Sequence, residues 1–524
     1  MKGLFWAAVS VLAMTLVACG GGSTITPPPP AGNFSDASLK GQYAFSMSGV
    51  DLTGAYFARV GSFTADGAGN ITAGLEDVLD LGLQQAPLLV SFTGGNYQIQ
   101  ANGRGLVVLQ AAGSGGLQLS MMMQSTSSGF VVETDLNATS SGSFNLQTSS
   151  DFSASALANP YVFDFSGVSF ATNNVAPISM IGQIQADGNG TITGGVMDTN
   201  DGNLTAPSGA TAVAPGTYQM DSSGNGTNFG RGTMTFNGRS FAFYIVDATH
   251  IKVLEEDALG GTSGDALKQA GPVPAQNSEF TGSFVYLVGG ASVTGKQGPV
   301  VRAARFTADG NGGLGTISLD DNKDGSYTHI SQGSNISAAS YVIDTANAGS
   351  GRGTFTFTDS RAGMFVDVFY MISPTQAFVQ ETTAGIIGDG PFYAQTAGPF
   401  TLSGSAGNYV FDWNGVGLGS STAAPFEEDF LGQYALSSAT SNNIAGVTDY
   451  VELGLSSNKL FADVGLGGTL TINGDGTANN LYKFVLGGSP SVTVNFQAYF
   501  ANPETVLLVC SDRTRTTAGQ VKQQ

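Results

Sequence analysis

Positive charge is scarce in this chain: 19 Lys and Arg stand against 39 Asp and Glu in 524 residues, a formal net charge of −20. Nucleic acids and anionic lipid surfaces are held by clusters of cations that displace counterions, so neither fits as the main partner. Histidine is nearly absent as well, with only His250 and His329, far apart and in no motif. A Ser-His-Asp set or a metal-activated water would need one of them to act with partners that the sequence does not single out, so both read as surface or edge-strand residues. No Gly-x-Ser-x-Gly elbow or His-Glu-x-x-His pair occurs. Cysteine appears twice, at Cys19 and Cys510. Past the first twenty residues no stretch keeps a helical apolar period for three turns.

What is abundant is glycine, at 75 residues, set among Thr, Ser, Val and Phe. That is the composition of many short strands joined by tight turns, so the fold class is all-β. The length leaves room for three to five ordinary domains.

Residues 1–20 read MKGLFWAAVSVLAMTLVACG: one Lys, an uncharged apolar run, then small residues, the layout of a secretory signal. Within it, Leu16-Val17-Ala18-Cys19 resembles the lipobox of bacterial lipoproteins. The resemblance implies cleavage before Cys19, acylation of its thiol and of the new amino terminus, and attachment to a membrane. Gly20 stands where many lipoproteins carry Asp for inner-membrane retention, which leans towards the outer membrane. With Cys19 acylated, Cys510 has no disulfide partner. A tether of glycines and the Pro27–Pro30 run follows.

Behind the tether a block of about 120 residues recurs four times. Each copy opens on an aromatic strand, Tyr43-Ala-Phe45, Tyr161-Val-Phe163, Phe284-Val-Tyr286 and Tyr409-Val-Phe411, whose alternate rings share one face. The first three have a hairpin turn at Asp66-Gly67, Asp187-Gly188 and Asp309-Gly310, and eleven residues beyond the turn Asp stand Asp77, Asp198 and Asp320. Copy four loses the turn and keeps Asp449. Gly-Arg-Gly recurs around Arg104, Arg231 and Arg352, and Leu466-Gly467-Gly468-Thr469 is its expected counterpart in copy four. Glu133, Glu255 and Glu381, replaced by Cys510 in copy four, precede a final Gln by fourteen residues: Gln147, Gln269, Gln395 and Gln524. The expected divisions are a signal at 1–18, a lipidated tether at 19–38, and β repeats at 39–148, 149–270, 278–396 and 399–524.

About eight alternating runs per copy predict an eight-stranded antiparallel up-and-down barrel, with a β-sandwich as the alternative. The Gly-x-Tyr opening at Gly41-Gln42-Tyr43 and Gly407-Asn408-Tyr409 is similar to that of lipocalin-like (calycin) barrels, which favours the barrel. The whole arrangement resembles repeat lipoproteins of environmental bacteria to which no activity attaches.

Three site expectations follow. Cys19 is the lipidation site. Copy four lacks both the Gly-Arg-Gly Arg and the strand-end Glu, so Arg104–Glu133, Arg231–Glu255 and Arg352–Glu381 are expected as structural ion pairs at one end of each of the first three barrels. Asp320, Asn322 and Asp324, with Gly325, resemble half of an EF-hand-type loop that would hold calcium weakly, since Ser331 stands where the bidentate Glu belongs. No other cofactor and no catalysis are expected.

The function expected is an extracytoplasmic, lipid-anchored binding, adhesion or spacer array, whose partner is a surface glycan, a protein or a small apolar ligand. The alternatives are a carrier of small apolar ligands and an envelope hydrolase. Filled interiors would favour the first reading, a roomy apolar cavity the carrier, and a cleft gathering carboxylates with His250 or His329 the hydrolase.

Overall fold

A computed structural model describes residues 32–524 apart from 85, 112–115, 171–173, 205, 223–227, 332–335, 361–362, 420–423, 439–440, 456, 475–479 and 488–490. The signal, Cys19 and most of the tether therefore lie outside the described residues.

The chain is all-β, as expected, and forms four antiparallel sheets in sequence order. Barrel 1 is closed and runs from β1 (Lys40–Asp51) to β8 (Ala138–Leu146). Barrel 2 runs from β9 (Pro160–Ser169) through β10 (Ala176–Ala186) and β11 (Thr191–Asp201) to β17 (Gly260–Lys268). Its fourth strand is split into β12 (Ser208–Ala212) and β13 (Gly216–Met220), and β11 pairs with β10 and β13 to close the circle. The third unit, barrel 3, is a half-barrel that runs from β18 (Thr281–Ser292) through β20 (Leu314–Lys323), β21 (Ser326–Ser331) and β22 (Ile336–Ile343) to β26 (Ile386–Ala394). It is an open nine-stranded sheet whose outer strands are β21 and β22, with a single bridge between Gly313 and Ser340. Barrel 4, from β27 (Gly407–Gly417) to β34 (Arg515–Gln523), is again closed.

The turn reading holds in detail. Asp66 Oδ1 accepts from the Ala68 and Asn70 amides, Asp187 Oδ1 from Asn189 and Thr191, and Asp309 Oδ1 from Asn311 and Gly313, all at 2.7–3.0 Å. Gly67, Gly188 and Gly310 follow at φ near +80°, which only glycine adopts cheaply. The copy-four alignment of Leu466–Thr469 does not hold. These residues lie inside β30 (Ser457–Thr471), and the next strand, β31 (Asn480–Leu486), is the counterpart of the one that Gly-Arg-Gly opens in the other copies. Glycine spacing alone mimicked the motif.

Each barrel is filled. The opening-strand aromatics project inward into an apolar cluster, for example Tyr161, Phe163 and Phe165 with Phe236, Phe241 and Phe243 in barrel 2. A segment preceding the first strand covers one end, where Leu39, Leu157, Phe280 and Phe400 are buried. Tyr97 Oη donates to the carbonyls of Asp36 and Leu39, and Tyr341 Oη to those of Asn277 and Phe280, which fastens this plug.

The four units do not string out as a line. Four further apolar clusters join barrel 1 to 2, 2 to 3, 3 to 4, and 4 back to 1. The last of these packs Met122 and Val132 of barrel 1 against Val410, Leu431, Val451 and Leu453 of barrel 4. The barrels form a closed ring with like ends together.

Candidate functional site: seams, barrel mouths and the ring axis

The acid at the fixed place eleven residues past the turn is the centre of every seam. It lies on the outer face of the third strand, where the next barrel docks. Asp77 of barrel 1 receives Arg231 of barrel 2 through Nε and Nη2, both at 2.8 Å, and the Tyr244 hydroxyl at 2.8 Å. Asp198 of barrel 2 receives Arg352 of barrel 3 in the same way at 2.7 and 2.8 Å, with Tyr370 at 2.6 Å. Asp449 of barrel 4 receives Arg104 of barrel 1 at 2.8 and 2.8 Å, with Ser120 in place of the tyrosine. Two parallel bonds to one carboxylate fix angle as well as distance. Burial, and then the acid beside it, pushes the Tyr244 and Tyr370 hydroxyls far above their ordinary value, so both stay donors.

At the fourth seam Asp320 of barrel 3 receives the Tyr499 hydroxyl of barrel 4 at 2.5 Å, and its other partners come from its own barrel, Tyr327 and His329 Nδ1.

The recurring final glutamine reads the neighbouring barrel's backbone. Gln147 Nε2 donates to the Phe229 and Ile245 carbonyls, Gln269 to Ser350 and Met371, Gln395 to Phe500, and Gln524 to Asn102 and Met123. In two copies the glycine ahead of the Arg makes room for this contact: a Cβ at Gly103 would stand 2.7 Å from Gln524 Nε2, and one at Gly351 3.0 Å from Gln269 Nε2, whereas one at Gly230 would meet the Phe152 ring. Gln524 thus closes the ring on barrel 1.

The expected Arg–Glu pairs are therefore corrected. Arg104, Arg231 and Arg352 face outward at the plug end. Glu133, Glu255 and Glu381 face inward at the other end, the mouth, and each is paired with a different arginine of its own barrel. Arg59 Nε and Nη2 donate to Glu133 at 3.2 and 3.1 Å, Arg239 pairs with Glu255, and Arg302 with Glu381. Barrel 4 has the inward-facing Cys510 at the Glu position and pairs Arg515 with Glu428 at 3.1 Å instead. Burial pushes Glu133 and Glu255 up to about 7, against the pull of Arg59 and Arg239.

The half-loop at Asp320, Asn322 and Asp324 does not converge on one point. Asp320 is held as above, Asn322 Nδ2 donates to the Cys510, Asp512 and Arg515 carbonyls of barrel 4, and Asp324 pairs with Lys296. Alternate residues of a strand share a face, and here the face of Asp320 and Asn322 is a seam. Among the described residues no group of three or more His, Cys, Asp and Glu side chains is arranged to hold a metal ion.

At the ring axis lies a cavity of about 300 Å³ lined by all four barrels, with Ser46, Ser48, Ser141 and Ser143 from the first, Asp164, Ser166, Ser263 and Asp265 from the second, Phe378 from the third, and Asp412 and Gln520 from the fourth. Burial and the neighbouring acids push Asp164 and Asp412 far above the usual carboxylate range. Asp265 goes the other way: although burial opposes it, Lys252 and His250 hold its carboxyl well below that range. Lys252 also donates to Ser46 and Ser143 of barrel 1 at 3.0 and 2.9 Å. Neither His250 nor Lys252 lines the cavity. His329 is the seam residue described above.

No family model matches the chain, and no curated protein matches it. Among solved structures it is similar to the isotype 1 transferrin binding protein B of serogroup B Neisseria meningitidis, at 8% identity and a TM-score of 0.22, covering 76% of this chain and 83% of that one. Two mutant forms of the vaccine antigen transferrin binding protein B from Haemophilus parasuis Hp5 align at 10% identity, with TM-scores of 0.19 and 0.20, covering 78% and 76% of this chain and 83% of theirs. Likeness of this degree carries no argument about what the chain binds.

Proposed function

We propose that this is a non-catalytic, lipid-anchored protein of the bacterial cell envelope, probing its surroundings with a rigid ring of four barrels that serves as a binding platform for a surface glycan or protein. One observation carries the reading: every polar residue that recurs at fixed spacing is engaged in a turn, a seam or a barrel mouth. The repeats thus supply architecture, and what varies among them, the loops at the mouth end, is left to make contacts. Filled interiors argue against a carrier working through the barrel cores. A closed ring also gives little reach, which favours a platform over a spacer.

The plug of barrel 1 gives the platform an orientation. Phe34 donates its amide to Ala101 O, so the described chain begins at the plug end, and an anchor at Cys19 would leave the mouth-end loops on the opposite face. Leu83 and Leu455, at 83% and 91% exposure, stand on those loops.

The test has two arms. A Cys19→Ser chain should leave the membrane fraction, and equal retention contradicts the anchor. A photo-crosslinking residue at Leu455 should capture envelope macromolecules on intact cells, while one at Asp187, on the plug face, should not. Equal capture from both faces, or none from either, contradicts the platform.

A further inference from the structure

The mouth of barrel 1 differs from the other three at one position. The residue preceding each seam acid faces inward, and it is Met197 in barrel 2 and Leu319 in barrel 3, both packed into the apolar core, and Thr448 in barrel 4, whose hydroxyl donates to Leu431 O at 3.0 Å. In barrel 1 it is Glu76, and beside it a cavity of about 310 Å³ opens.

The cavity has a polar floor and apolar walls. Glu76 is 2% exposed; its Oε1 accepts from Arg59 Nη1 at 2.7 Å, while its Oε2 lies out of reach of solvent with no hydrogen-bond partner. Each nitrogen of Arg59 already has an acceptor, since its Nε and Nη2 go to Glu133. Phe57, Leu83, Leu88 and Phe92 make the walls, and Leu83 and Leu88 are 83% and 54% exposed at the lip. A buried acceptor without a donor is costly, and exposed leucines beside a concave apolar wall are costly too; one ligand would relieve both. Among the lining side chains Arg59 stands against Glu76, Asp80 and Asp135, so the site carries excess negative charge.

We propose that the mouth of barrel 1 binds a small primary aliphatic amine, its ammonium donating to the Glu76 carboxylate, whose unpartnered Oε2 turns to the cavity to accept it, and its alkyl chain lying against Leu83, Leu88 and Phe92. The volume is at the low end for small-molecule sites, and barrel mouths are a usual place for them. The acid in place of a core-packed Met or Leu gives the pocket its polar floor and supplies its specificity. This site stands apart from the platform reading, and either can fail without the other.

The test is calorimetric titration of the full chain with n-butylammonium, n-hexylammonium, hexanol and hexanoate. Hexylammonium should bind at least tenfold tighter than hexanol or hexanoate, and affinity should rise about fourfold per methylene from butyl to hexyl. Glu76→Leu, which copies barrel 3, should remove the acceptor and abolish the binding of hexylammonium through its head group. Glu76→Gln, which keeps the shape, should remove the preference for the ammonium head. Leu83→Ser, at an exposed position that cannot disturb folding, should weaken hexylammonium several-fold and flatten the dependence on chain length. No binding of hexylammonium at millimolar concentration, equal binding of all three head groups, or binding unchanged in Glu76→Gln and Leu83→Ser would overturn the proposal.

Discussion

Between barrels 2 and 3, Asp198 receives a guanidinium in two parallel bonds and a tyrosine hydroxyl, all from the following barrel. Between barrels 3 and 4, Asp320 occupies the same place and receives a tyrosine from the following barrel, while a second tyrosine and a histidine from its own barrel complete its partners. The acid and the tyrosine are common to both seams; the permanent charge is present in one, and a titratable group stands in for it in the other. The repeat therefore keeps the acceptor and lets the donor vary. A buried carboxylate must be satisfied, but chemistry does not prescribe by whom.

The largest effect should come from stranding the guanidinium. Removing one partner of a buried pair costs about 3–5 kcal/mol, because the other charge is left without compensation. Asp198→Ala leaves Tyr370 without its acceptor and takes from Arg352 both of its parallel bonds, so that the guanidinium keeps only Asp344 at 3.1 Å and the cost falls at the lower end of that range. Asp320→Ala strands hydroxyls and an imidazole that can lose its proton, for which about 1–3 kcal/mol is appropriate. Native-state hydrogen exchange on the strands flanking each seam should show this order, and equal losses at the two seams would remove the distinction between them.

A second comparison sets the mouths against the seams. Glu255 is fully buried and its carboxyl is pushed up to about 7 from a usual value of 4.5. The folded state holds that proton more tightly than the unfolded state. Its contribution is thus complete below pH 4.5 and is lost as pH rises to about 7, about 3.5 kcal/mol at 1.4 kcal/mol per unit. Barrel 2 should lose stability across that window, and Glu255→Gln should flatten the loss. Exchange rates in β17 followed from pH 4.5 to 8 would read both; an unchanged slope in the variant assigns the dependence elsewhere.

Much of this was legible from the residues themselves. The alternation of Tyr161, Phe163 and Phe165 announced an inward face, the Asp-Gly pairs announced their turns, and four copies with eight runs each announced barrels. Pairing was the part that misled. In an up-and-down meander the fifth and seventh strands run the same way, so Arg104 at the start of one and Glu133 at the end of the other are about 20 Å apart, a full strand length. Strand counting alone would have excluded the pair. The true partner of Arg104 is Asp449, 345 residues away, in a barrel that meets the first only because the ring closes. Spacing within a copy reports which face a residue is on and carries no information about which neighbour that face will meet. The glutamines show the same limit: their fixed distance from the glutamates was visible, and their role in reading the next barrel's backbone was not.

A smaller effect is expected where the ring closes. Gln147, Gln269 and Gln395 act between barrels that the chain already links, whereas Gln524 acts across the join of the last barrel with the first. Gln524→Ala removes two hydrogen bonds, at 2.9 and 2.8 Å to Asn102 O and Met123 O. Two net hydrogen bonds correspond to about 1–2 kcal/mol. No linker holds barrels 4 and 1 near each other, so the loss should appear as faster exchange at Met122 and Val451 with the other three seams unchanged. Gln147→Ala, cutting the same contact where a linker spans the seam, should open its seam less.

The smallest effect is the one that separates the two kinds of seam most cleanly. His329 Nδ1 lies 2.9 Å from Asp320 Oδ1, and this hydrogen bond raises the imidazole above its ordinary 6.5 although partial burial opposes it. A group whose folded value is raised stabilises fully below the unfolded value and loses that contribution as pH climbs through the folded one. The side chain is 37% exposed, so solvent screening limits the gain to about 0.2–1 kcal/mol. The seam between barrels 3 and 4 should therefore be tightest below pH 6.5 and loosen above it, whereas Arg352 keeps its charge throughout, so that the seam between barrels 2 and 3 responds only through its buried Asp164–Asp389 pair, which burial pushes up, Asp389 to about 6. His329→Gln should match the native chain above pH 8 and fall behind it below pH 6, as read by exchange at Tyr499 and by a titration of the imidazole resonances. A His329→Gln chain that tracked the native one at every pH would mean that Asp320 is held by its tyrosines alone and that the histidine is a bystander.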